Sequence, residues 1–146
     1  MAVNPEIQGR TYPPAEPYLV GREKVREFAR AVFATSPISL DPEAARAAGH
    51  ADVVAPPTFA IAVTPLDRLL DDPEAGVDFS RVVHGDQRFT FSRPIVAGDL
   101  LTTTLTVASV KSIGGHSMVT TESEVVDADG AHVVTATSTL VVRGDE

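Results

Sequence analysis

Residues 33–61 read FATSPISLDPEAARAAGHADVVAPPTFAI, and the fold turns on this stretch. Asp41-Pro42-Glu43 is a helix start: a capping carboxylate, proline at the first helical position and an acid in the first turn. Gly49 closes that short, Ala-rich helix, and Asp52–Ala55 makes a brief extended run. Pro57-Thr58 then opens a second helix whose content is apolar: Phe59, Ile61, Ala62, Val63, Leu66, Leu69 and Leu70. Pro65 lies inside it and should kink or divide it, with Thr64 available to cap the second part. Asp71-Asp72-Pro73 ends it.

Upstream, Val25, Phe28, Ala29 and Val32 recur at helical spacing, predicting a helix over Arg22–Phe33 with one apolar face. The first twenty residues are proline-rich and allow only short extended pieces, at Gly9–Tyr12 and Tyr18–Val20. Downstream of Asp78 the chemistry becomes that of strands. Four are predicted: Phe79–Arg93, Leu100–Ile113, His116–Val126 and Ala131–Arg143. Their turns fall at Pro94–Asp99, at Gly114-Gly115 (a two-residue hairpin signal) and at Asp127–Gly130. Helices first and an antiparallel meander after them is an α+β order. One apolar helix on a curved antiparallel sheet suggests the hot-dog architecture, as a single domain over 1–146. The strands are long, as suits a sheet that curls around a helix or continues into a second subunit.

A chain of 146 residues can bury roughly 70% of the surface it exposes when unfolded, so it needs no staples. It has no cysteine, which excludes disulfides, thiolate metal sites and Cys nucleophiles. The four histidines show no ligand spacing, and no metal or cofactor is expected. A net charge of −8 argues against nucleic acid. The start lacks the basic and apolar regions of a signal peptide, and no run approaches the roughly 20 apolar residues that span a bilayer. A cytoplasmic protein without membrane contact is the expectation.

Candidate reactive groups are few. Strict alternation along the first strand puts Val83, Gly85, Gln87, Phe89 and Phe91 on one face. It puts Val82, His84, Asp86, Arg88 and Thr90 on the other, so His84 and Asp86 could form an acid/base pair or simply a polar row. His84-Gly85 also reads as a bulge site. Thr35, Ser36 and Ser39 are hydroxyls without a Gly-x-Ser-x-Gly elbow, suited to turns and caps. Asp67 is either a carboxylate on the apolar helix or a solvated neighbour of Arg68, and His50 reads as a loop residue at a helix end.

Several separated segments, SPISLD, GHADVVAPPTF, RTYPP, VGREKVREFA, FSRVVHGDQ and RPIVAGD, resemble the MaoC-like (R)-specific hydratase/dehydratase family of hot-dog proteins. The likeness spans nearly the whole chain and is of the N-terminal type. It is similar to the non-catalytic subunit of actinobacterial (3R)-hydroxyacyl-ACP dehydratase. Active members of the family carry Gly-Asp-x-Asn-Pro-Ile-His-x-Asp. Set on that pattern, Pro37, Ile38 and Asp41 match. The catalytic Asp falls on Ala34, the Asn on Ser36 and the catalytic His on Ser39. A methyl and a hydroxyl cannot shuttle the proton of the water that is added or removed. The family's Gly after Ala-Pro, which offers a backbone N–H to the thioester carbonyl, is Pro57 here and has no N–H.

The resemblance therefore implies a chain that is inactive alone but keeps an acyl-binding scaffold. Pro57, Thr58, Phe59, Val63, Phe89 and Phe91 are the candidate substrate-binding residues, and no residue is assigned to catalysis. The implied ligands are acyl-ACP or acyl-CoA thioesters of fatty-acid elongation. The implied partner is a catalytic MaoC-like subunit, or a second copy of this chain. An acidic carrier would need local cations such as Arg22, Lys24 or Arg88. Two alternatives stay open: a homodimeric binding or scaffold protein without turnover, and an enzyme with a relocated site at His84/Asp86 or Asp67.

Overall fold

The computed structural model describes residues 2–14 and 16–145. Strands β1 (Thr11–Tyr12) and β2 (Tyr18–Leu19) precede helix α1 (Arg22–Ala31) and helix α2 (Pro42–Ala47). A 3-10 segment over Pro57–Val63 leads into helix α3 (Leu66–Leu70). Strands β3 (Val82–Phe91), β4 (Leu100–Ile113), β5 (His116–Val126) and β6 (His132–Val142) complete one antiparallel sheet. Pro57–Val63 packs on the sheet, and the result is the α+β hot-dog arrangement expected from the sequence.

The apolar helix is divided, as Pro65 requires, but its first part is a 3-10 segment and not α-helix. Thr64 does not cap the second part. The residue before a proline is driven to extended angles, and Thr64 sits at ψ 113° with its hydroxyl donating back to Ala60 O at 3.0 Å. Helix α1 also stops earlier than predicted. Phe33 adopts φ 59°, its N–H donates to Arg30 O (3.2 Å), and the Ala34 N–H reaches back to Ala29 O (2.8 Å). This left-handed terminus ends the helix before Val32 can join its buried face, leaving Val32 44% exposed. Helix α2 forms as predicted, with Asp41 Oδ1 accepting from the Glu43 N–H and Gly49 at φ 95°.

β4, β5 and β6 form the predicted meander, with Gly114 and Gly115 both at positive φ in the tight turn. The predicted fourth member, β3, does not pair with β4. It pairs antiparallel with β6, giving the order β1-β4-β5-β6-β3, with β2 also on β4. The Ser92–Asp99 connection explains the difference: it is too long for a tight hairpin and has its own partner. Val96 bridges Val54, the Ala55 N–H donates to Ile95 O (2.8 Å), and the Ala97 N–H donates to Val53 O (3.0 Å). The Asp52–Ala55 run is thereby clamped beside the sheet. β3 is left as an edge strand, unpaired on its outer side among the described residues. Its predicted start also shifts, because Asp78 Oδ1 caps a 3-10 turn over Phe79–Arg81.

Two apolar clusters fill the space against the sheet. One centres on Phe59, which is fully buried and meets Phe28 edge-on at 5.3 Å. The other gathers Ile7, Leu69, Leu105 and Leu140. Along β5 the clusters own Val125 and Val119, with Ser123 and Thr121 between them. Along β6 they own Val134 and Leu140, with Ala136 and Ser138 between them. Ser123, Thr121 and Ser138 are fully buried, so a small, polar seam crosses the sheet between two hydrocarbon cores. No helix among the described residues is long and apolar enough to cross a membrane.

Candidate functional site

The Ala34–Ser39 loop follows from its two ends. Phe33 turns the chain out of α1, and Pro37 starts a 3-10 turn over Pro37–Ser39 that feeds the Asp41 cap. The Val54 N–H donates to Ile38 O (2.8 Å), so the loop lies against the clamped run. Ser39 is only 5% exposed, and its hydroxyl donates to Val54 O at 2.6 Å. It is a structural hydroxyl that ties loop to run. Arg22 fixes the same region from α1, meeting both oxygens of Asp52 at 2.9 and 2.7 Å. That hydrogen bonding holds the Asp52 carboxyl down to about 2.

Behind this loop is a cavity of about 530 Å³, within the range of small-molecule sites. Ala34, Ile38, Ala55, Pro57 and Phe91 supply much of its apolar wall. Arg93 also lines it, its guanidinium donating to Asp99 (2.8 and 3.2 Å) and Asp127 (3.3 Å). Its structural role was missed in the sequence, although the RPIVAGD segment contains both Arg93 and Asp99. Among the described residues that line it, the cavity has hydrocarbon, serines and an arginine paired with two carboxylates, and no other acid or base.

The six candidate binding residues separate. Pro57 and Phe91 line the cavity. Phe89, half-buried, stands beside Phe91 with ring centres 6.3 Å apart. Phe59 and Val63 are core residues, and Val63 touches a second, smaller hollow with Asp67 and Arg68. Thr58 is exposed and off the cavity wall. Asp67 is exposed in the first turn of α3, and His50 follows the Gly49 terminus of α2.

The proposed same-face pair of His84 and Asp86 does not exist. The β3–β6 register shifts between these residues, so Gly85 is an extra residue and the alternation resets. His84 turns to the face of Gln87, its Nε2 2.9 Å from Gln87 Oε1, while Asp86 faces the other way and pairs with Arg88 at 3.2 Å. The bulge read at His84-Gly85 is present, and it removes the acid/base pair.

The FAS1-like dehydratase domain region matches residues 6–136. The chain is 73% identical over 146 residues to the UPF0336 protein of Leifsonia xyli subsp. xyli, covering 99% of this chain and 98% of that protein. It resembles a chain of the C-terminally truncated HadBC (3R-hydroxyacyl-ACP dehydratase) complex from Mycobacterium tuberculosis. That match has 36% identity and a TM-score of 0.81, and covers 92% of this chain and 96% of that one. A MaoC-like dehydratase matches at 36% identity and a TM-score of 0.86, with 94% of this chain covering 42% of a longer one. The chain belongs to the FAS1-like dehydratase-region family of MaoC-like hot-dog proteins, together with its UPF0336 relatives.

Proposed function

We propose that this chain is the non-catalytic, acyl-chain-binding subunit of a (3R)-hydroxyacyl-thioester dehydratase of fatty-acid elongation. One observation carries the reading. Ala34, Ser39 and Pro57, which the resemblance sets at the family's acid, base and oxyanion-donor positions, all line one apolar cavity. An acyl chain gains about 0.8 kcal/mol per buried methylene in such a space, with no chemistry asked of its walls.

The partner is a second hot-dog chain with an intact Asp and His, which would hold the water and move its proton. The open edge of β3 is the natural place for it, since a ten-residue strand with one unpaired side is a template for further pairing. The 36% identity to a chain of a two-component dehydratase complex supports a heteromeric partner over a second copy. Acyl-ACP and acyl-CoA thioesters both suit the cavity. Delivery by an acidic carrier would rely on local cations, because the chain itself is acidic.

Co-expression with a hot-dog chain bearing Asp-x-Asn-Pro-x-His, followed by size-exclusion and hydration of trans-2-enoyl thioesters of graded length, tests the proposal. A stable one-to-one pair that accepts longer chains than the partner alone is expected. No complex, or a pair with the partner's own length profile, overturns it.

A further inference from the structure

Phe33 is held in a costly conformation and buries little of its ring in return. Its φ of 59° is left-handed, where a Cβ crowds the backbone, and the residue is 89% exposed. Set on the pattern Gly-Asp-x-Asn-Pro-Ile-His-x-Asp, position 33 takes the glycine, the residue that adopts such an angle freely. Here the turn instead carries a phenyl ring into solvent. Val32 beside it is 44% exposed, so the end of α1 presents two uncovered apolar side chains in succession.

The position of that ring ties it to the open strand edge. Ala34, the next residue, lines the same cavity as Phe91 and Ser92, so Phe33 stands by the C-terminal end of β3. At the opposite end, about 30 Å along the strand, Phe79 and Val83 are also exposed. Between the two ends Asp86 and Arg88 pair with one another at 3.2 Å, so the middle offers backbone hydrogen bonds and no net charge. A ten-residue edge is small for a stable interface, which takes about 800 Å² and roughly 20–30 residues from each partner. Apolar side chains at both ends extend it toward that size, and a buried aromatic ring is the kind of residue that dominates such contacts.

We infer that Phe33 is the anchor by which this chain holds its catalytic hot-dog partner, with Phe79 as a second contact at the far end of β3. Docking covers the ring, so the strain carried by the free chain is offset in the pair. This rests on the function proposed above and adds to it the side chains that make the β3 edge a docking surface.

The test reads two quantities: the melting temperature of the full chain alone, and the Kd of its pair with a hot-dog chain bearing Asp-x-Asn-Pro-x-His. Phe33→Gly is expected to raise the first and to weaken pairing about thirtyfold, a combination that misfolding cannot give. Phe33→Asn, polar but tolerant of the left-handed angle, should weaken pairing equally. Phe33→Tyr, which keeps the ring and the strain, should stay within about threefold of wild type, and Phe79→Ser should cost about tenfold. Leu19→Ser is the control: Leu19 is 66% exposed on β2, whose partner β4 is separated from β3 by β5 and β6, and its loss should leave the Kd unchanged. If Phe33→Gly leaves pairing unchanged or lowers both quantities, or if Leu19→Ser weakens pairing as much, Phe33 is only a strained turn residue and the inference is wrong. If Phe33→Gly breaks up a complex of this chain with itself and spares the mixed pair, the surface belongs to a second copy, which also overturns it. If the wild-type chains form no pair, the proposed function fails and this inference with it.

Discussion

The Ala34–Ser39 loop and the inner side of β3 border the same cavity, but their polar groups are in opposite states. The loop is closed: Ser39 is bound to Val54 O, Arg93 nearby is held by two carboxylates, and Ala34 offers a methyl. The β3 side is unlike it: Gln87 sits between Ser138 and His84, and the buried hydroxyls of Thr121 and Ser123 behind it have no partner among the described residues. The loop that the resemblance aligns with the family's active-site segment is tied down as scaffold. The strand edge keeps an unpaired side among the described residues. Position in a fold and chemical competence are therefore separate questions.

Filling the cavity should have the largest effect. Ala34→Trp projects an indole from the loop, and each methylene it excludes lowers affinity about fourfold. An acyl ligand that loses four methylenes of burial should bind about two orders of magnitude more weakly, while a short-chain ligand is unaffected; titration across chain lengths reads this. Gly85→Val attacks the open side. Even a Cβ at Gly85 would lie 3.2 Å from Val141 Cγ2 and 3.4 Å from Thr139 O, so the larger side chain should cost about 1–3 kcal/mol in chemical denaturation. Ser39→Ala removes one buried hydrogen bond, costing about 1 kcal/mol, and should leave turnover by the pair intact. Lost turnover with normal stability would return Ser39 to the chemistry.

Phe33→Gly is expected to stabilise. The left-handed angle costs an L-residue about 1–2 kcal/mol, more than the chain-entropy penalty of glycine, so the melting temperature should rise. Acid gives the mildest effect. Asp52 is held at about 2 against an ordinary 3.8, so the folded state favours its ionised form. Its contribution is complete above about pH 4 and fades as the pH falls toward 2; Arg22→Gln should flatten that part of the acid-stability profile.

Much of the fold was legible because each signal was local: the Asp41-Pro42 cap, the Gly114-Gly115 turn and the break at Pro65. Pairing of β3 with β6 was not, since alternation along one strand says nothing about which strand lies beside it. The positions that the resemblance gives the family's dyad, Ala34 and Ser39, could be read residue by residue from the family pattern. The polar seam could not, because Gln87, Thr121, Ser123 and Ser138 come together only through register across three strands. A single inserted residue at Gly85 was enough to reverse the facing of His84 that strict alternation predicts.

The most direct measurement is turnover of one trans-2-enoyl thioester by the purified chain, by a hot-dog partner with an intact dyad, and by the two together. No hydration by this chain alone, and activity from the pair that exceeds the partner's in rate or chain length, is the predicted result. Turnover by the chain alone that survives removal of every trace of partner would contradict the account at its centre.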